Sequence, residues 1–283
     1  MNNCMEAKGL YKQYAGFTLG PLDLQIPAGC ITGFIGENGA GKSTTINLLL
    51  GLVRPDAGES FVLGEKSDGG SAALFEQIGV VLSEGGLHCS LNVQQVGNIM
   101  RGIYKNWDAE RYLGLCGRFS LPERKKIQDY SHGMRRKLDL AVALSHNARL
   151  LILDEATSGL DPIVRDEILD VLLDFIQQED HAVLLSSHIL SDLEKACDYI
   201  AFIHKGQMLL FEQKDILLER FCVIKGGEEL LEKIDPRFIH GIRRNRYGVE
   251  ALCERAGVSG GDFVSDPAGM EDIMLFYIKE ANA

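Results

Sequence analysis

The sequence predicts an α/β fold built on a parallel sheet, and three observations lead there. Short apolar runs at residues 30–35, 150–153 and 182–185 have the profile of buried strands and alternate with segments of helical period. Strand–helix–strand alternation gives a parallel sheet covered on both faces. A glycine-rich turn follows the first run and opens a helix at Lys42. With 283 residues, 46% hydrophobic and 24% charged, the chain suffices for one large α/β domain plus an appendage.

The elements follow in order. Residues 5–14 and 17–26 read as two strands joined by a turn at Ala15-Gly16. The buried run 30–35 and the helix from Lys42 come next. Residues 88–127 lack β-rich runs and are mostly helical, with Asp108 as a cap; they form a helical insertion into the core, within a helical subdomain of about 88–145. Between the second and third buried strands, Ile168, Val171, Leu172, Phe175 and Ile176 recur at helical spacing. Asp161 is the N-cap of that helix and Pro162 its first residue. From about residue 221 the character changes, through Gly226-Gly227 and Asp235-Pro236. A strand pair within 238–252 and a closing helix with Met270, Ile273, Met274, Tyr277 and Ile278 on one face form a small α+β appendix. The expected division is therefore 1–220 and 221–283.

Charge and cysteine usage narrow the function. A net charge of −11, with short and scattered basic runs, argues against nucleic acid as a partner. Seven cysteines stand singly with no C-x-x-C spacing, which fits a reducing compartment and gives no support to a zinc or redox site. The N-terminus lacks the apolar core of a signal peptide. The longest apolar stretches, such as 46–53, fall short of the ~20 residues that span a bilayer. The expectation is a cytosolic chain that reaches a membrane only through another chain.

Three motifs carry chemistry. Gly36, Glu37, Asn38, Gly39, Ala40, Gly41, Lys42, Ser43 and Thr44 match G-x-x-x-x-G-K-[ST] between a strand and a helix. Glycines let backbone N–H groups converge on phosphate oxygens, and the helix N-terminus adds partial positive charge. Lys42 is a point charge for the β- and γ-phosphates, and the Ser43 hydroxyl suits Mg2+. A chance match arises in roughly one such chain in a hundred, and the strand-before, helix-after context lowers that. Asp154 and Glu155 end the second buried strand, at the edge where a parallel sheet binds ligands. Asp154 suits Mg2+, and Glu155 suits the base for an attacking water. Alone, the pair is an acidic helix cap; beside a phosphate loop it favours hydrolysis. His188 ends the third strand at the same edge. A lone histidine there is usually structural. The neighbouring strand ends shift the reading toward the γ-phosphate.

Taken together, Tyr14, residues 36–44, Ser131-His132-Gly133-Met134, Asp154-Glu155, Ser158-Gly159-Leu160-Asp161 and His188 resemble the ATP-binding subunits of ABC transporters over roughly residues 5–221. The resemblance implies a P-loop NTPase (RecA-like) core with an antiparallel β subdomain, besides the helical insertion and the C-terminal appendix. It implies an ATP hydrolase that uses ATP and Mg2+. Tyr14 would stack on adenine, against the bland reading of a core aromatic. Ser131 to Met134 align with the signature segment that one subunit lends to its partner's ATP. Ser131 and Gly133 keep the usual pattern; His132 and Met134 depart from it. Ser158 to Asp161 align with the D-loop along the subunit boundary, and His188 with the switch histidine. The family's magnesium-side glutamine is absent: Ser83 aligns, with Glu84 next. The implied partners are a separate membrane permease of export type and a second ATPase, as homodimer or heterodimer, on the inner face of the cell membrane. Two rivals are a DNA- or ribosome-associated ABC ATPase, which carries a long coiled coil or two ATPase domains, and a P-loop kinase, which needs neither Ser131-His132-Gly133 nor His188.

Overall fold

The computed structural model describes residues 3–68, 71–83, 85–246, 248–258 and 264–281. The two N-terminal strands are β1 (Asn3–Tyr14) and β2 (Phe17–Pro27), and Tyr14 pairs with Phe17 across the Ala15-Gly16 turn. Gly16 takes φ +84°, which a tight hairpin turn requires. After β3 (Ile31–Ile35) and α1 (Lys42–Leu49), β4 (Ala57–Val62) and β5 (Glu65–Lys66) complete an antiparallel sheet of order β2-β1-β4-β5. The strand β4 was hidden in the sequence by its glycine and its glutamate, which break the apolar alternation.

The central sheet is reached through α2 (Ala72–Phe75) and β6 (Ile78–Val81). The helical insertion follows as α3 (Val93–Ile103), α4 (Ala109–Arg118) and α5 (His132–Ala143). Asn92 and Gln95 form a reciprocal capping box on α3, and the Asp108 side chain accepts from the Arg111 N–H at the start of α4. Tyr104 stacks on the buried His146 ring with centroids 3.9 Å apart, which pins the end of α3 to the core. Then come β7 (Leu150–Asp154), α6 (Pro162–Phe175), β8 (Ala182–Ser187), α7 (Leu190–Ala196), β9 (Tyr199–His204) and β10 (Gln207–Gln213). Asp161 caps α6 by accepting from the Val164 N–H. Ile176, expected on the helix, is its C-cap residue instead.

The sheet order is β10-β9-β3-β8-β7-β6, parallel except for the β10 edge. Because β3, β8 and β7 run side by side in register, Ile35 pairs with Ser187 and Asp154 with Ser186. The ends of three strands distant in sequence therefore meet at one edge.

The last part of the chain holds α8 (Lys214–Arg220), β11 (Phe221–Gly226), β12 (Ile239–Asn245), β13 (Gly248–Glu254), α9 (Arg255–Val258), β14 (Ser265–Pro267) and α10 (Met270–Ala281). The expected pair is β12 and β13; β11 joins it to give the order β12-β13-β11-β14. Alternation along β11 serves both faces. Phe221 and Val223 belong to the same buried cluster as Leu151, Phe202, Ile273 and Phe276. Cys222 and Ile224 join a smaller cluster with Ala251 and Cys253. The core is thus continuous from the central sheet to α10, at ~1.5–3 kcal/mol for each large apolar side chain fully buried. Among the described residues, no helix is long and apolar enough to cross a membrane.

Candidate active site

The phosphate loop is shaped by glycine where side chains have no room. Gly39 and Gly41 take φ of +83° and +112°. A Cβ on Gly36 would lie 2.5 Å from the Ile203 carbonyl, and one on Gly41 2.6 Å from Leu19. Gly41 is the N-cap of α1 and offers no side-chain cap, so the first-turn N–H groups of the helix stay open to an anion. Glu37, Asn38 and Gly39 are exposed at the rim, Ala40 is buried beneath them, and Ser43 and Thr44 lie in the first turn of α1.

Lys42 is only 6% exposed and is surrounded by acceptors. Its Nζ donates to the Gly36 carbonyl at 2.7 Å and the Glu37 carbonyl at 3.3 Å, and pairs with Glu155 Oε1 at 3.1 Å. The other Glu155 oxygen meets His188 Nδ1 at 2.7 Å. A line Lys42–Glu155–His188 therefore crosses the strand ends. His188 stands at its exposed end, with Nδ1 facing the carboxylate and Nε2 left for another partner. Glu155 adopts φ +53°, a conformation that costs a non-glycine residue ~1–3 kcal/mol, and its N–H donates to the Ser186 carbonyl at 3.1 Å. Positive φ at a carboxylate within this constellation marks a position held for its side chain rather than for backbone comfort.

Asp154 is buried, and each of its oxygens accepts a hydroxyl at 2.7 Å, one from Ser43 and one from Ser186. Hard oxygen donors of this kind, a carboxylate and a serine hydroxyl at the mouth of a phosphate loop, fit Mg2+. Ser186 went unread in the sequence. Its signal was a small polar residue closing an apolar strand, but only the β7–β8 register shows that it faces Asp154. Phe17 was also missed; its ring packs against the Gly41 position from β2.

The remaining expected residues lie around this edge. Tyr14 is 42% exposed at the end of β1, with Lys12 Nζ 5.8 Å from its ring centre. An exposed ring is free to take a flat ligand, which a core aromatic is not. Ser83 is exposed, and its carbonyl, with that of Leu82, accepts from the buried Arg136 guanidinium of α5. It is not a partner of Asp154. Glu84 lies outside the described residues.

Ser131 is the N-cap of α5 and accepts from the Met134 N–H at 3.2 Å. Met134 packs against the core, while Ser131 and His132 are exposed. His132 Nε2 lies 3.2 Å from the Ser158 carbonyl. A Cβ on Gly133 would be 3.2 Å from Val164 and 3.7 Å from Leu160. Residues 131–134 and 158–161 thus form one packed surface. No contact joins Ser131 or Gly133 to the phosphate loop of the same chain among those described.

Comparison with known proteins points to one family. Residues 19–158 match the model of the ABC transporter family. An uncharacterized ABC transporter ATP-binding protein of Bacillus subtilis is 36% identical over 74% of this chain and 70% of its own length. A bacitracin transport ATP-binding protein of Bacillus licheniformis is 32% identical over 74% of this chain and 69% of its own. Among solved structures, the ATP-binding subunit of an ABC transporter superposes with a TM-score of 0.68 at 26% identity, covering 75% of this chain and 90% of that one. With a phosphate loop at the helix α1 N-terminus, paired acids where β7 ends at the same sheet edge and relatives of this kind, the chain belongs to the ATP-binding, ATP-hydrolysing subunits of ABC transporters.

Proposed function

We propose that this subunit closes with a second ATPase subunit, a copy of itself or a relative, around ATP and thereby drives a separate permease that exports peptide-type antibiotics from the inner face of the membrane. The observation that carries the reading is the Lys42–Glu155–His188 line, at 3.1 Å and 2.7 Å, beside the open N-terminus of α1. The named transport role of the bacitracin relative supports the substrate class. The insertion helices α3 and α4, of 11 and 10 residues, offer no long coiled coil of the kind a DNA-repair ATPase carries.

The residues divide the work as follows. Phosphate oxygens of ATP replace the loop carbonyls as partners of Lys42 and loosen its pair with Glu155. Glu155 is then free to accept a proton from the attacking water, with His188 holding its carboxylate in place. Ser43 and Asp154 are the residues that would hold Mg2+, which supplies charge neutralisation to the phosphates. Tyr14 stacks on adenine. Ser131 and Gly133 reach the γ-phosphate on the other subunit, so closure is a population shift driven by the tighter binding of ATP to the closed pair. In domain terms, residues 1–220 form the motor, with 88–145 its helical subdomain, and 221–283 an accessory unit packed onto it.

The test pairs chemistry with transport. Glu155→Gln should lower kcat for ATP by about 10²–10⁴-fold with nucleotide binding retained. Cells expressing the chain with the permease of the neighbouring gene should survive higher bacitracin concentrations, and Glu155→Gln should remove that protection. Wild-type turnover in the variant contradicts the base assignment, and protection by the variant contradicts ATP-driven export.

A further inference from the structure

We infer that His132 is a positioning residue that fastens the D-loop to the signature turn, so that one subunit presents both to its partner as a single rigid half-site. The inference rests on the composite-site reading above and adds a residue to it. The N-terminal turn of α5 and the loop 158–161 are separated by more than twenty residues and by the whole of β7. Three contacts nevertheless join them. His132 Nε2 donates to the Ser158 carbonyl at 3.2 Å. The backbone of Gly159, at φ +69°, lies against the imidazole, with its Cβ position 3.9 Å from both Cδ2 and Nε2. Gly133 packs on Leu160 and Val164 just beyond.

The loop's own hydrogen bonds do not hold its outer end. Ser158 N–H donates back to the Glu155 carbonyl at 3.2 Å, and Leu160 N–H reaches the Thr157 carbonyl only at 3.4 Å. Its far end is tied down from the other side: Arg165 donates to the Leu160 carbonyl at 3.1 Å, and Arg165 Nε lies 3.6 Å from the buried Asp192 carboxylate of α7. The Ser158 carbonyl is therefore the point at which another element must act, and the imidazole supplies the donor. A glycine at position 132 could not, since it carries no side chain. This departure from the usual signature pattern thus adds a contact rather than weakening the site. His132 touches no phosphate in this account; it acts through the position of residues 158–161 relative to Ser131.

Such a role operates on the partner's ATP, and that makes it separable from a merely structural one. His132→Leu should lower kcat about threefold to tenfold, the usual worth of one hydrogen bond, with the KM for ATP little changed. His132→Gln, which keeps an N–H donor, should recover most of the loss. Titrating an excess of Lys42→Ala subunits into the His132→Leu protein pairs each live phosphate loop with an intact half-site, so turnover per live loop should rise. Titrating the Lys42→Ala, His132→Leu double variant into wild type should lower it. If Lys42→Ala subunits fail to rescue His132→Leu but do rescue Ser131→Arg, His132 acts within its own site and the inference falls. If they rescue neither, the composite-site reading itself fails. Equal loss in His132→Gln and His132→Leu also overturns the inference, because the donor would then be irrelevant.

Discussion

The two halves of the proposed site are built on opposite plans. The half at residues 36–44, 154–155 and 186–188 is charged and its charges are paired within one chain. Lys42 donates to two loop carbonyls, both Asp154 oxygens hold hydroxyls, and Glu155 is ion-paired with Lys42 on one oxygen and meets His188 with the other. The half at 131–134 and 158–161 is exposed along Ser131, His132 and Gly159 and carries backbone dipoles at a helix N-terminus rather than paired charges. The first plan keeps a buried lysine and two carboxylates stable when no nucleotide is present, since stripping one partner from a buried pair costs ~3–5 kcal/mol. The second costs little to leave open and gains only when a phosphate arrives from elsewhere. On the composite-site reading proposed above, the difference lets one chain hold its own charges in pairs while its open half serves a second chain.

Spoiling the open half alone should have the largest effect. Ser131→Arg places a long cation where a partner's γ-phosphate should fit. Turnover should fall at least about 100-fold while ATP binding to the isolated subunit changes less than about twofold. Turnover retained in steady-state assays would remove residues 131–134 from the site.

A smaller effect sharpens the contrast through pH. Asp139, on the helix that Ser131 caps, is a largely buried acid, its side chain 14% exposed beside Arg136. Burial raises its carboxyl to about 6, against the opposing pull of Arg136 and Arg135. The folded chain therefore keeps a proton between about pH 4 and 6 that the unfolded chain has released. Stability from this group falls as pH rises through that window, and the full penalty, on the order of 2–3 kcal/mol, is present above it. Asp139→Asn should gain stability relative to wild type between pH 5 and pH 7.5 in denaturant titrations. A difference between the two proteins that does not vary with pH contradicts this.

The least expected effect is at the rim. Tyr14→Ala should raise the KM for ATP about twofold to tenfold with kcat unchanged, in line with ~0.5–1.5 kcal/mol for an aromatic contact. An unchanged KM would assign the ring to no ligand.

What the sequence made legible was local. The glycine-rich turn declares itself because nine consecutive residues carry the whole message. Asp161 and Pro162 announce a helix start by cap chemistry that needs no distant partner. Ser186 was illegible because its role depends on which strand lies beside β7. The runs of β9 and β11 are as apolar as those of β3 and β7 and mark strands by themselves; their places in the two sheets do not follow from them, because pairing is set by distant partners. His132 reads as a departure from a motif until Ser158 is seen 3.2 Å away.

Solution mass of Glu155→Gln, measured by light scattering with and without Mg-ATP, shows whether ATP joins two half-sites on different chains. Twice the subunit mass with ATP, single mass without it, and single mass again when Ser131→Arg is added is the predicted result. A Glu155→Gln protein that stays at single mass in saturating ATP, or a double variant that still pairs, contradicts it.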